Sequence, residues 1–519
     1  MHEVITLQFG HRANYLGTHY WNIQESYFTY DGQEESMVDH DISFRQGVGG
    51  DGSDTYSPRA LLYDLKGAFG TLRRENALYQ LQQEDQPHQQ TPWIGESIRL
   101  QLPPIAPSSY QQALDAGTEP PALTPETVRF WSDYNHIFYH PRSLVQLNEY
   151  ELNSQLMPFE LWSTGEDLFT NLDREHDLLD RDLRPFLEEC DQMQAVQIFS
   201  SVDDAWGGFT TKYVERMEDE LGKGCRWVFG LEDNDKSIPR QRQMMQSANS
   251  ARSVYTINNS VSAYIPLSSI PRASPPYLRV DSRSLWHVSA LQATLVETAT
   301  LPTRLRSTDT AQANFNDLET VVNNDGKRTV TSAALTIENP EELSDAANQP
   351  KDMRATDGYT NGAGHNFENR ETLDMDLLPN TATTSRQPRR CNQFFSCTET
   401  LRGTWKPEDD ILESNVTSRD RIANASIRVT RQQTELLFPM LSSFPTSIFT
   451  FSASPQKLAV RASLSTSSAV ADRLRSLGEL SDRILGVDER EAIADGLNSM
   501  AEEYEEGWLD FSDSEDEDE

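Results

Sequence analysis

Residues 195–231 read AVQIFSSVDDAWGGFTTKYVERMEDELGKGCRWVFGL. AVQIFS is a β-branched, apolar run of ordinary strand length, and RWVFGL is a second. Between them Tyr213, Met217 and Leu221 recur at i, i+4 and i+8, one face of a helix that Gly222 and Gly224 close. Strand, loop, helix, strand is a βαβ unit. It puts FSSVDDAWGGF, residues 199–209, at the carboxyl end of a parallel strand, where open α/β sheets bind ligands.

Working outward, EVITLQF (3–9) has the composition of a buried strand ending at Gly10, and Leu16, Tyr20, Ile23 and Tyr27 then mark one helical face. SPRALLYDLKGAFG predicts a short strand over Ala60 to Leu65 and a loop at Lys66 to Gly70. Residues 80–125 are Gln- and Pro-rich (LQQEDQPHQQTP, LPPIAPSS) and read as a surface insertion or linker. Residues 126–190 read as helix-rich from ETVRFWSDYNHIFYHPRSLVQL onward, and Leu179, Leu183, Phe186, Leu187 and Cys190 share a face. From about 300 to 430 the chain is rich in Thr, Asn, Arg and Asp with little periodicity, which predicts an extended insertion, loosely ordered over much of 320–390. Strand composition returns at ELLFPMLSSFPTSIFTF and KLAVRASLSTS. A last helix from about 488 carries Ile493, Leu497, Met500 and Tyr504 on one face. Residues 502–519 hold eleven acidic and no basic residues, a solvated tail in which Ser512 and Ser514 are candidate phosphorylation sites.

A chain of 519 residues exceeds one compact core and predicts two to three domains. The formal net charge of −36 argues against direct nucleic-acid binding, which needs clustered Lys and Arg, and fits basic surfaces or simple solubility better. Four cysteines, at 190, 225, 391 and 397, fit a reducing compartment, and the Cys391–Cys397 spacing matches no zinc pattern. No stretch approaches the roughly 20 apolar residues of a membrane span. The N-terminus has neither signal- nor transit-peptide character. GxxxxGK[ST], HExxH and GxSxG are absent, and the ten histidines form no ligand-spaced set.

In order and spacing these pieces resemble tubulin, and more closely the tubulin-like Misato/DML1 family. MHEVITLQFGHRANYLGTHYWNIQESY is similar to the tubulin N-terminus, with Gly10, Asn14 and Gly17 at the spacing of its first nucleotide loop. SPRALLYDL resembles the strand leading to the third loop, and LDRDLRPFLEECDQMQAVQIFSSVDDAWGGFTTKYVERMEDELGKGC follows the tubulin helix, strand, glycine loop and helix. FWSDYNHIFYHPRSL looks specific to Misato proteins, and EYEEGW with its acidic tail resembles the tubulin end. The likeness covers most of residues 1–300 and parts of 434–519. It implies an α/β fold: a tubulin-like N-terminal domain with a Rossmann-type parallel sheet, plus a smaller second α/β domain packed through a central helix, with polar insertions. The expected division is 1–300 for the nucleotide-binding-type domain, 301–430 for a polar insertion or linker, 431–507 for the rest of the second domain with the C-terminal helix, and 508–519 for the tail. The family implies a role in mitochondrial distribution and morphology and in the inheritance of mitochondrial DNA. Location at the mitochondrion and in the cytoplasm, protein partners of the cytoskeleton or mitochondrial surface, and self-association go with it.

A phosphate cradle uses the backbone N–H groups of a glycine-rich turn and the positive end of a helix. Tubulin has a run of Gly, Thr and Ser there. Here Asp203, Asp204, Ala205 and Trp206 take the early positions and only Gly207 and Gly208 remain. Each carboxylate facing phosphate at about 4 Å costs around 4 kcal/mol at an effective dielectric of 20. Aspartate before a helix reads as an N-cap; the alternative is that Asp203 or Asp204 holds a Mg²⁺ that bridges to phosphate. In GHRAN, His11 and Arg12 replace the Gln and Cys of the tubulin pattern, and of the two roles open to Arg12, contact with phosphate or pairing with Asp203 or Asp204, the pairing is expected. Lys66 stands near a position where tubulin carries an acid. The resemblance thus implies a vestigial nucleotide pocket of Gly10, His11, Arg12, Asn14, Lys66, Gly67, Asp203, Asp204, Gly207 and Gly208. No catalytic residue, metal or cofactor is expected in it. The reading is a non-enzymatic tubulin-like protein, and its alternative is a GTP-binding, polymerising one.

Overall fold

A computed structural model describes residues 2–29, 35–48, 54–72, 105–222, 224–235, 237–306, 313–323, 326–340, 375–379, 394–405, 428–451 and 455–505. The first eight strands are β1 (Val4–Phe9), the antiparallel hairpin β2 (Phe44–Val48) and β3 (Asp54–Pro58), then β4 (Ala60–Lys66), β5 (Leu144–Glu151), β6 (Ala195–Ser201), β7 (Arg226–Glu232) and β8 (Ala263–Ser268). Apart from the hairpin they form one sheet in the order β5-β4-β1-β6-β7-β8, with every pairing parallel. β1, β6, β7 and β8 are buried end to end. That explains why their sequences are continuous apolar runs: helices cover both faces.

On one face lie α1 (His11–Glu25) and, across the sheet's other face, α2 (Trp162–His176), α3 (Ala205–Leu221) and α4 (Arg240–Ile257). Leu16 and Tyr20 belong to the first core, and Leu168, Phe209, Tyr213 and Val254 to the second. The chain builds β4 and β5 to one side of β1 and then crosses back to start β6 on the other. The switch point therefore lies between β1 and β6, whose carboxyl ends are in register at Phe9 and Ser200.

α5 (Leu285–Thr300) is buried at every residue from Trp286 to Thr300, its polar His287, Gln292 and Glu297 included. It is the central helix: Leu291 and Leu295 share a core with Leu335 and Leu464 of a second sheet. That sheet follows α6 (Phe315–Val322) and comprises β9 (Ser332–Glu338), β10 (Met375–Asp376), β11 (Phe394–Arg402), β12 (Arg428–Thr434), β13 (Phe438–Pro439) and β14 (Lys457–Ser467). Its order is β10-β9-β14-β11-β12, with β13 paired to β14. All pairings are antiparallel except β11 with β12. α7 (Ser468–Ile484) and α8 (Val487–Glu502) return to the first domain, where Leu474, Ile493 and Leu497 join the core of α4.

The α/β class, the parallel sheet and the second sheet agree with the expectation. Three details differ. Residues 301–430 are not simply an insertion: they supply β9 and β11, the two neighbours of β14, and their Ser- and Thr-rich composition hid them because Thr336, Thr398 and Thr400 are buried all the same. Residues 126–161 are not helical. They form 3₁₀ turns at Trp131–Tyr134 and Pro141–Ser143 and the strand β5, and Trp131, Tyr134, Ile137 and Tyr139 all enter the first core from this irregular stretch rather than from one helical face. Within the 80–125 stretch, Ser109–Asp115 is a short helix anchored by the buried Tyr110. Residues 80–104, most of 341–393, the tail at 508–519 and Cys391 lie outside the described residues.

The domains are joined by buried charge. Glu297 of α5, fully buried, pairs with Arg402 of β11 and, at 3.5 Å, with Arg304. Tyr27 Oη and Gln24 Nε2 donate to the same carboxylate at 3.1 and 3.2 Å.

Candidate functional site

The loops at the switch point carry the residues singled out above. Gly10 is the whole connection between β1 and α1, at φ +93°, where glycine is favoured. A Cβ on it would lie 2.6 Å from the Trp206 indole, so the indole rests directly on the loop that would approach a phosphate. Trp206 is buried and packs edge-on to Phe159 and Phe209.

Arg12, on the first turn of α1, points at both aspartates. Its guanidinium holds Asp203 through two nitrogens and Asp204 Oδ2 at 2.9 Å. Asp203 is almost fully buried and its Oδ2 also accepts the Asp233 N–H at 2.8 Å. Burial opposes the Arg12 charge, but Asp203, Asp204 and Asp233 outweigh it and raise the guanidinium pKa above its ordinary value. Burial pushes the Asp204 carboxyl up against the pull of Arg12, and the like charge of Asp203 adds to the rise.

Asp204 is the N-cap of α3: its Oδ1 accepts the Trp206 N–H at 2.9 Å, and its carbonyl accepts the Gly207 N–H at 3.1 Å. Two of the amides a phosphate would use, those of Trp206 and Gly207, are thus already bonded. Gly207 and Gly208 serve another purpose. A Cβ on Gly207 would sit 2.3 Å from Ser253 Oγ of α4, and one on Gly208 would sit 2.0 Å from the Trp162 carbonyl of α2. Gly165 of α2 reciprocates, with a Cβ 1.6 Å from the Ala205 carbonyl. These glycines let three helices touch.

Asn14 donates to Asp64 Oδ2 at 2.8 Å, and His11 Nδ1 stands 3.5 Å from the same oxygen. His11 also packs edge-on to Tyr15. Lys66 and Gly67 are exposed at the end of β4, and nothing brings Lys66 to the Arg12 cluster. The structure therefore gathers Gly10, Arg12, Asp203, Asp204, Gly207 and Gly208 in one place, with His11 and Asn14 beside them around Asp64.

Sequence reasoning missed Asp64, Asp233, Gly165 and Asn249. A charge inside the apolar strand ALLYDL was a visible signal for Asp64. Asn249 had none: it donates to the Glu160 and Asp203 carbonyls at 2.8 and 3.1 Å and accepts the Trp162 N–H at 3.2 Å, tying α4 to the loop.

The space left beside Arg12 is a cavity of about 40 Å³ bounded by Tyr15, Asp233, Ser269, Ser289 and Gln292. Ligand pockets of nucleotide size run to roughly 300–1,000 Å³. Capped amides, three carboxylates around one arginine and an indole over Gly10 form a donor set that does not suit a triphosphate. Among the described residues, one carboxylate group has metal-ligand spacing: Asp177, Asp180 and Glu220. It is exposed, and Arg184 and Arg216 bridge it. No helix of the described residues is long and apolar enough to cross a membrane.

Comparison with known proteins agrees with this architecture. Residues 2–116 match the Misato Segment II tubulin-like domain and residues 120–305 the Tubulin domain. The chain is 45% identical to Protein DML1 of Phaeosphaeria nodorum over 99% of its own length and 100% of that protein. It is also 45% identical to Protein dml1 of Aspergillus niger, again over 99% and 100% of the two chains. Protein dml-1 of Neurospora crassa is 41% identical over the full length of both. With two tubulin-type domains matched in succession and relatives above 40% identity from end to end, the chain belongs to the tubulin-like Misato/DML1 family.

Proposed function

We propose that this chain is a non-enzymatic member of the tubulin-like family that takes part in the partitioning of mitochondria and the inheritance of mitochondrial DNA through protein contacts. It works at the mitochondrial surface and in the cytoplasm. The observation that carries the non-enzymatic part is the Arg12–Asp203–Asp204 cluster under Trp206. A nucleotide would have to break a paired, partly buried guanidinium and face two carboxylates whose repulsion of phosphate outweighs micromolar binding. The mitochondrial part rests on the family resemblance.

The test is to purify the full chain, extract it and quantify guanine nucleotide, then titrate GTP with and without Mg²⁺. Less than a few hundredths of a nucleotide per chain and no binding in the titration are expected. Near one-to-one content, or Mg²⁺-dependent binding lost in Asp203→Asn, would establish the GTP-binding alternative instead. The mitochondrial role is tested by deleting the protein in the host cell and following mitochondrial distribution and mitochondrial DNA copy number in daughter cells; unchanged inheritance overturns it.

A further inference from the structure

The segment FWSDYNHIFYHPRSL takes no part in the Arg12 site. It forms one wall of a cleft of about 410 Å³, closed on the other sides by Glu25, Leu72, Gln111 and Leu114. Glu25 ends α1, 13 residues from Arg12, so the cleft lies about 20 Å away along the helix at 1.5 Å per residue. The hydrogen-bond donors around it are spent internally. Gln111 Nε2 serves the Asn135 and Ser132 carbonyls at 2.7 and 3.0 Å, Asn135 Nδ2 the Ile137 carbonyl at 2.8 Å, and the Thr71 N–H the Ser132 hydroxyl at 3.2 Å.

One acceptor is left over. The Glu25 carboxylate has His136 Nδ1 3.9 Å away, beyond hydrogen-bond reach. Burial lowers the His136 pKa to about 4, so at neutral pH this ring carries no charge to balance Glu25. The negative pole of α1 adds to the same field. Leu72, Leu114 and Ile137 give the cleft apolar walls, and Phe138 stands 52% exposed at its rim.

We propose that this cleft is a docking site for a partner protein's extended segment that carries an arginine or lysine between apolar residues. The cation sits against the Glu25 carboxylate, and its apolar neighbours lie on Ile137 and Phe138. A chain of net charge −36 favours such a partner over an acidic one. The site is independent of whether a nucleotide occupies the Arg12 region.

Isothermal titration of the full chain with acetyl-Leu-Arg-Leu-amide, with its neutral citrulline counterpart and with butylguanidine alone tests this. The arginine peptide is expected to bind at least about tenfold tighter than the citrulline peptide, the size of one charge-assisted hydrogen bond. Glu25→Gln, at a side chain 40% exposed, brings the two peptides together, and Phe138→Ala weakens both alike. Equal binding of the two peptides to the unaltered chain, a preference that survives Glu25→Gln, or no heat at millimolar peptide overturns the proposal. Butylguanidine binding as tightly as the arginine peptide also overturns it, in favour of a small-cation pocket. Should Glu25→Gln fail to fold, the citrulline comparison and Phe138→Ala decide alone.

Discussion

Arg12→Met removes the cation of the locked site while keeping most of the apolar stem. Asp203 and Asp204 reach the same guanidinium nitrogen, which places the carboxylates ~4–5 Å apart, and unit charges at that spacing repel by about 3–4 kcal/mol at an effective dielectric of 20. Two contacts survive: Asp203 keeps the Asp233 N–H and Asp204 keeps the Trp206 N–H. Arg12 is 22% exposed, so water reaches part of the gap. The expected loss is roughly 3 kcal/mol, the low end for stripping one partner from a buried pair. Urea unfolding followed by tryptophan fluorescence reads it, because Trp162 and Trp206 border the site. Burial already raises the Asp204 carboxyl above its unfolded pKa, and without Arg12 the charge that opposes that rise is gone. The stability of a raised carboxyl is present when it is protonated and is lost as pH rises through its folded pKa. The deficit is therefore full at pH 7 and smaller at pH 5. Adding Asp203→Asn to Arg12→Met recovers about half of it by removing one of the two repelling charges. A single variant within about 0.5 kcal/mol of the parent, the scatter of an ordinary surface change, or a deficit equal at both pH values, refutes the locked-pair account.

Three further outcomes are expected. Gly208→Ala pushes a methyl to 2.0 Å from a backbone carbonyl; it costs about 2–3 kcal/mol or more by overpacking and shows as a lower melting temperature, whereas a packing-neutral result would return Gly208 to a loop role. Glu297→Gln leaves Arg402 and Arg304 buried with no counter-charge; a loss of roughly 3–5 kcal/mol in thermal unfolding is expected, and a melt unchanged from the parent contradicts the buried bridge between the domains. Burial holds His136 near pKa 4 and His19 near 3, against 6.5 for the free side chain. The unfolded chain then takes up protons that the folded one refuses, so this stability is complete above pH 6.5 and is lost as pH falls towards 4, by roughly 2–3 kcal/mol for His136. His136→Gln flattens that part of the acid titration, and an unaltered slope removes His136 as its cause.

The sequence made the first domain legible because its strands are buried on both faces. VITLQF, AVQIFSS and RWVFGLE are apolar at consecutive positions, and each ends at a loop marked by Gly, Asp or both. The second sheet was half hidden for the opposite reason: β9 (SAALTIE) and β11 (FFSCTETLR) bury threonines and serines whose polarity mimics an insertion.

At the site, residue types alone fixed the chemistry of the loop: two aspartates and a tryptophan in place of small residues, facing an arginine one strand away. A charge pattern is local information and survives without coordinates. What only the tertiary structure decided is what each group spends itself on. Gly207 and Gly208 look like the remnant of a phosphate cradle in the sequence, yet helices α2 and α4 press on their Cα atoms. Lys66 looks like a member of the site and faces solvent instead. Asp233 just past β7, Asn249 of α4 and Asp64 of β4 enter it from 30, 46 and 139 residues away from Asp203. Close approach and hydrogen-bond pairing depend on distances between segments remote in the chain, and those are set by the packing of the whole fold rather than by any one stretch of it.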